Sequence, residues 1–544
     1  MATNDAPRDR ALGAIEQALG ANRIDQAIGL ARQAEADGVE HPLILNLVAF
    51  AFENEGQFGE ALTRLDRALQ LEPQNVLTLS AIGQCLSKQG RPKDALEAFD
   101  AAISLLPSHA PAHHGRAAAQ ASLGDDDDAW QSESLAARLD PRFPDPLGGL
   151  AEMSMRRGEI DQARQYARQA LALDPRQPVA AYVMASLNAR DQQPAEAARQ
   201  LEALIAGGGL TPLHAAMTQR LLGDQLEELG RFDEAWQAYD LANKGMWRLL
   251  GRGFEITGVE TAAPMCRRVR AYVEAAPAGA FDPAPQNTPS PAAEHIFLVG
   301  FVRSGTTLLE QVLASHADVV ALEEKPTLRA LTAEFFSDQA GLDRLTAMTE
   351  TEADVLRETY WRSVADQGAQ VAGKVFVDKA PMTSIWQPLI AKLFPRAKIL
   401  FAIRDPRDVV LSCFRNAFIV NAMSGAFSDL NNTAELYSEV MALSEVYAKV
   451  LPLPLHRHRH EDLIEDFEGQ VKAICGFIGI DWDPAMADFV STANSRDIRT
   501  PSKDQVRQGL NRSGMAQWKR YEAHLAPVLP VLEPWVKAFG YEVG

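Results

Sequence analysis

The sequence predicts a multidomain chain in which an all-α superhelix of repeated helical hairpins is followed by an α/β domain with a mostly parallel sheet. Three observations carry this expectation. Glycine, alanine and proline recur every 34 residues through the first half, as at Gly56 and Gly90. From Glu294 onward, short apolar runs alternate with helical segments. At that change, Ile296-Phe297-Leu298-Val299-Gly300-Phe301-Val302-Arg303-Ser304-Gly305-Thr306-Thr307-Leu308-Leu309 reads as a buried strand, a tight glycine loop and a helix start in succession.

The repeats come first in the chain. Gly56, Gly90, Gly124 and Gly158 share a register with Ala61, Ala95, Ala129 and Ala163, with Ala68, Ala102, Ala136 and Ala170, and with Pro73, Pro107, Pro141 and Pro175. Glycine closes the first helix of a pair, alanine lets the second pack tightly against it, and proline opens the next unit after a turn. Ala27 and Ala34 keep the register upstream, while Gly230, Ala235 and Ala242 resume it downstream after a shift that Gly207-Gly208-Gly209 can supply. The pattern resembles the tetratricopeptide repeat (TPR) family, with seven repeats over residues 8–247 and degenerate ends. That resemblance implies a concave face that binds an extended peptide or acceptor protein; the alternative is an array that only scaffolds or dimerises the second half. The acidic run Asp125 to Asp128 is expected to be a helix N-terminus with solvated carboxylates. Residues 248–293 read as a bridging helix, through Cys266 to Val273, and an alanine- and proline-rich linker, which puts a domain boundary near residue 290.

Composition narrows the partners. A net charge of -19 argues against a general nucleic-acid binder, so any polyanion site must be a local cluster of arginines. Cys85, Cys266, Cys413 and Cys475 form no metal or disulfide pattern, which fits a reducing compartment. With no apolar signal region at the N-terminus and no long apolar window, the expectation is a soluble, cytoplasmic protein without a membrane partner. The sequence carries no mark of oligomeric state.

The second domain, residues 294–544, holds the chemistry. Strands are expected at Ile296 to Val299, Val375 to Val377 and Lys398 to Ile403. Gly300 and Gly305 let the backbone approach an anion, whose charge the loop N–H groups and helix dipole would bind. The spacing matches a P-loop, but Thr306 stands where its lysine belongs and Arg303 lies inside the loop. Arg303, Asp378-Lys379 and Arg404-Asp405 follow three strands and should converge on one crevice, which implies a ligand with more than one anionic group.

Here the resemblance to sulfotransferases is specific. Arg303-Ser304-Gly305-Thr306-Thr307 resembles their 5′-phosphosulfate loop, and Ile403-Arg404-Asp405-Pro406-Arg407-Asp408-Val409-Val410-Leu411-Ser412 resembles their 3′-phosphate motif. With Glu323-Glu324 after an arginine-type loop, the similarity is closest to the tyrosylprotein branch and covers about residues 294 to 525. It implies 3′-phosphoadenosine 5′-phosphosulfate (PAPS) as donor and no metal. By the same resemblance Arg303, Ser304, Gly305, Thr306 and Thr307 hold the 5′-phosphate and sulfonate, and Arg404 with Ser412 holds the 3′-phosphate. Glu324 is the implied base, with Glu323 as the adjacent alternative; Lys379 and Ser502 stabilise the leaving oxygen. Val506 to Trp518 would close over the donor, with Arg507, Arg512 and Lys519 as phosphate contacts.

Bland readings stand beside these. Arg404 could form a surface salt bridge with Asp405 or Asp408, and the glutamates could cap a helix with Pro326. Two positions depart from the tyrosylprotein pattern: His460 stands for a tyrosine and Gln517 for a lysine. The run His456-Arg457-His458-Arg459-His460 alternates as a strand would, with three imidazoles on one face, packed near nucleotide or forming a pH-sensitive surface or, less in keeping with the lack of a completing carboxylate or cysteine cluster, on zinc. The expected function is PAPS-dependent transfer to a tyrosine, carbohydrate or lipid hydroxyl, with the repeats recruiting the acceptor. Against it stand a P-loop kinase, which lacks its lysine and magnesium carboxylate here, and a repeat adaptor whose second half binds nucleotide without turnover.

Overall fold

A computed structural model describes residues 6–251, 260–285, 290–416, 418, 421–496 and 506–543, and the chain forms two compact units, Met1–Leu210 and Thr211–Gly544. The first unit is helical throughout. Its described residues make six hairpins, from Ala6–Gly20 with Ile24–Ala36 to Pro178–Arg190 with Pro194–Gly207. Gly56, Gly90, Gly124 and Gly158 all take left-handed backbone where the first helix of a pair ends, with φ between 74° and 88°. Asn22 and Gln192 take the same conformation in the first and sixth hairpins at φ of 56° and 57°, which is why the glycine period fades at the ends of the array. The eight alanines of the two central registers, Ala61 through Ala170, are completely buried, so a larger side chain there would wedge the helices apart. Asp126, Asp127 and Asp128 occupy the first turn of Asp126–Leu139, and Arg157 pairs with Asp127 at 2.9 Å.

The seventh hairpin, Pro212–Glu228 with Phe232–Leu250, groups with the second unit. The division at Leu210 thus differs from the expected boundaries at 247 and near 290. Aromatic packing explains it. Trp236 stacks on Phe414 at 4.6 Å and on His524 at 4.8 Å, Phe232 meets Tyr521 edge-on at 5.6 Å, and Asn243 donates to the Phe414 carbonyl at 2.9 Å. The supposed linker is also anchored. The helix Ala262–Ala275 packs on Leu430–Val450, Phe281 and Ala284 are buried, and Arg357 donates to the carbonyls of Ala284 (2.7 Å) and Pro285 (2.9 Å). Alanine and proline carry no anchor of their own, so composition alone reads this segment as loose.

Beyond residue 293 lies a five-stranded parallel sheet in the order β2-β3-β1-β4-β5, formed by β1 (Glu294–Gly300), β2 (Val319–Glu323), β3 (Val375–Lys379), β4 (Lys398–Ile403) and β5 (Leu455–Arg459). The alternation of a strand sends Ile296 and Leu298 to one face, where Leu309, Val312 and Ile474 cover them. His295 and Phe297 go to the other, against Tyr360 and Phe394. β1 is central, with β3 and β4 on either side. The loop after β1 therefore opens between the ends of its two neighbours, where parallel sheets place ligands. No described helix is long and apolar enough to cross a membrane.

Candidate functional site

The glycine loop connects β1 to the helix Thr306–Ala314. Gly300 cannot carry a side chain, because a Cβ there would lie 2.5 Å from the Ala402 carbonyl of β4. Gly305 is constrained twice: its φ is 91°, and a Cβ would lie 2.4 Å from Nδ1 of His460. Ser304, Thr306 and Thr307 are buried. Arg303 holds φ of 70°, a strained value for a non-glycine residue, and its Nε donates to the Ser412 hydroxyl at 3.0 Å. Burial, followed by repulsion from Arg404, lowers its guanidinium to about 10, so it remains charged at neutral pH.

Arg404 completes the second end of the cradle. It donates to the Arg303 carbonyl at 3.1 Å and to that of Gly514, while its buried Nε has no hydrogen-bond partner among the described residues. The anticipated salt bridges do not take it. Asp405 is engaged in a bidentate pair with Arg407, at 3.0 and 2.8 Å, and caps the helix Pro406–Arg415 through the Arg407 N–H. Asp408 accepts from the N–H groups of Ala516 (2.7 Å) and Trp518 (2.8 Å), tying the C-terminal segment to that helix. Ser412, two turns on, lies within reach of Arg303, so loop and helix share one polar network.

Lys379 ends β3 and Glu324 follows β2. The Glu324 N–H donates to the Lys379 carbonyl at 2.7 Å, which brings the two strand ends together, and φ of 43° turns Glu324 out of the strand. Lys379 Nζ then lies 3.0 Å from Glu324, 3.6 Å from Glu323 and 3.3 Å from Glu310. Burial alone would lower the Lys379 pKa, but Glu310, Glu324 and Glu323 outweigh it and raise the value above the usual lysine range. Neither glutamate of the pair caps a helix, since the next one, Arg329–Phe336, begins after Leu328. Of the basic groups expected in one crevice, Arg303 and Arg404 line the same cavities, while Lys379 sits among the three glutamates. Asp378 points to the opposite face, where Tyr360 (2.7 Å) and Thr327 (2.8 Å) donate to it and burial raises it to about 6.

Several expected positions fall elsewhere. Ser502 lies outside the described residues. Arg507 donates to the Ala493 and Arg496 carbonyls, and the walls of the cradle from this segment are formed by Gly509, Asn511, Ser513, Gly514 and Gln517 instead of Arg507, Arg512 and Lys519. His456 and His458 stand on β5, but His460 starts the helix His460–Glu465 and lies against the glycine loop, so the three imidazoles do not share one strand face. Burial lowers His458 to about 4. Two residues escaped the sequence reading. Glu310 is fully buried between Lys379 and Arg496, which pairs with it at 3.2 Å and also donates to the Ala321 carbonyl of β2 at 2.9 Å. A carboxylate inside the apolar run Leu308-Leu309-Glu310-Gln311-Val312 was the available signal.

The fold and site define an α/β domain with Arg303 and Arg404 around a glycine loop and a buried lysine-carboxylate cluster at the neighbouring strand ends. Residues 295–484 match the sulfotransferase family, and residues 54–100, 80–144 and 149–212 match tetratricopeptide repeats; the chain joins these repeats to a sulfotransferase-family domain. It is 28% identical over 256 residues to an uncharacterised protein of Aquifex aeolicus, covering 45% of this chain and 33% of that one. It is 24% identical over 258 residues to protein-tyrosine sulfotransferase 2 of Gallus gallus, covering 43% and 67%, and 24% identical over 262 residues to the protein-tyrosine sulfotransferase of Drosophila melanogaster, covering 44% and 51%. The chain thus spans a third of the length of the Aquifex relative and about half of the Drosophila one. Among solved structures it is similar to the APC/C hetero-tetramer Cut9-Hcn1, at TM-score 0.36 and 19% identity over 41% of this chain and 45% of that one.

Proposed function

We propose that the protein transfers a sulfuryl group from PAPS to an acceptor hydroxyl, a protein tyrosine being the favoured acceptor, and that the repeats recruit the protein bearing it. The observation that supports this reading is the Lys379–Glu324 contact of 3.0 Å, a carboxylate and an ammonium group at adjoining strand ends. The loop residues Arg303 to Thr307 bind the 5′-phosphosulfate, and Arg404 with Ser412 binds the 3′-phosphate. The acceptor oxygen forms a bond to sulfur as the bond from sulfur to the bridging phosphate oxygen breaks. Glu324 takes the hydroxyl proton, while Lys379 and Ser502 neutralise the departing oxygen, a task for fixed charge in a dry site. The likeness to protein-tyrosine sulfotransferases supports the tyrosine acceptor.

With labelled PAPS and a tyrosine-containing acidic peptide, Glu324→Ala is expected to lose about 10²–10⁴-fold in turnover while retaining donor affinity. Arg404→Ala is expected to lose donor affinity. A fully active Glu324→Ala enzyme removes Glu324 from the mechanism, and absence of any PAPS-dependent thermal shift in the wild type removes the donor.

A further inference from the structure

The seventh hairpin does more than extend the repeat series, because it walls the donor cradle. Two cavities meet at Arg303 and Arg404. One is lined by Gly305, Leu308 and His460 at the start of the loop helix. The other is lined by Ser412, Arg415 and Asn416, and opposite them by Arg220, Asp224 and Tyr239 of the hairpin. Arginines therefore face this second cavity from both sides.

Glu228 of the hairpin lines this cavity too, and two further acids of the hairpin are engaged. Tyr239 donates to Asp224 at 2.9 Å, and Glu227 pairs with Arg415 and accepts from Tyr521 at 3.1 Å. Arg415 is spent on Glu227 and Gln517. Arg220 is attracted by Asp224 and Glu227, but its burial outweighs them. Its guanidinium lies 5.4 Å from the Tyr239 ring centre, and its buried NH1 has no hydrogen-bond partner among the described residues. A buried unpaired N–H of a cation costs free energy that an anion in the cavity would recover, and a guanidinium offers paired donors that suit phosphate.

We propose that Arg220, supplied by the last helical hairpin, is a donor-binding residue that contacts the second phosphate of the nucleotide together with Arg404 and Ser412. The assignment rests on the PAPS reading above. It follows from the division of the cradle: the loop helix N-terminus serves one cavity and takes the 5′ group, whereas Ser412 and Arg220 share the other. A repeat element thereby sets selectivity for a nucleotide carrying a 3′-phosphate over one without it.

The test is calorimetric binding of adenosine 3′,5′-bisphosphate and of adenosine 5′-monophosphate to the full chain, as wild type, Arg220→Ala, Arg220→Gln and Arg404→Ala. Removing the guanidinium is expected to weaken the bisphosphate about tenfold or more. The monophosphate should bind as before, which also reports that the fold survives. Arg220→Gln, which keeps most of the side-chain volume, carries the test if Arg220→Ala fails to fold. Unchanged bisphosphate affinity in Arg220→Gln, or equal losses for both nucleotides, overturns the assignment. A wild type that does not prefer the bisphosphate overturns the donor reading itself, and Arg220 with it; a wild type that prefers it, beside an unaffected Arg220→Gln, overturns Arg220 alone.

Discussion

Asp378 and Lys379 are sequence neighbours with opposite fates, because a strand sends consecutive side chains to opposite faces. Lys379 enters the carboxylate cluster, whereas Asp378 enters the aromatic face and is satisfied by Tyr360 and Thr327. Burial raises Asp378 from 3.8 to about 6 in the folded protein. A raised folded value means that its contribution to stability is fully present below about 3.8 and is lost as pH rises through about 6. Relative to Asp378→Asn, the wild type is expected to lose about 1.4 kcal/mol per pH unit across that interval and to run parallel above it. Urea unfolding of both proteins between pH 4 and pH 7 measures this, and a difference that does not change with pH would refute it.

At the scale of elements, the hairpin Pro212–Glu228 with Phe232–Leu250 behaves as part of the α/β unit. Trp236 lies between Phe414, on the helix that carries Ser412, and His524. Replacing Trp236 with alanine removes both stacks, and a cost of about 3 kcal/mol is expected from the lost aromatic packing. The loss should be local. Hydrogen exchange should accelerate in Pro406–Arg415 and stay unchanged in the hairpin Ala110–Leu123 with Asp126–Leu139; uniform acceleration, or none, would contradict this packing account. The repeat markers could not reveal the role of this hairpin, since Gly230, Ala235 and Ala242 define how two helices meet and say nothing of what their outer faces touch. Arg220 and Trp236 lie outside that register.

For the whole molecule, the two compact units divide before the seventh hairpin and not after it. A chain beginning at residue 248 would expose Phe414 and Tyr521 and leave Arg415 without Glu227, so it is expected to aggregate or melt well below one beginning at residue 211; equal thermal stability of the two would refute this. What was legible in the sequence was local. A strand, a glycine loop and a helix start are contiguous at Ile296 to Leu309, and the 34-residue period repeats one local packing solution. What was not legible depended on residues far apart in the chain: Arg357 holding Ala284, Arg496 closing on Glu310, and Arg220 lining the same cavity as Ser412. Even β2 was missed, since Val319–Glu323 is a short edge strand whose place is revealed only by its pairing with β3. One ion pair also joins the two ends of the proposed reaction. The carboxylate proposed to receive the acceptor proton rests 3.0 Å from Lys379, the cation proposed for the leaving oxygen. Under the proposed chemistry, a donor whose bridging oxygen draws Lys379 loosens its hold on that carboxylate, so the donor and acceptor ends of the reaction are linked through one contact.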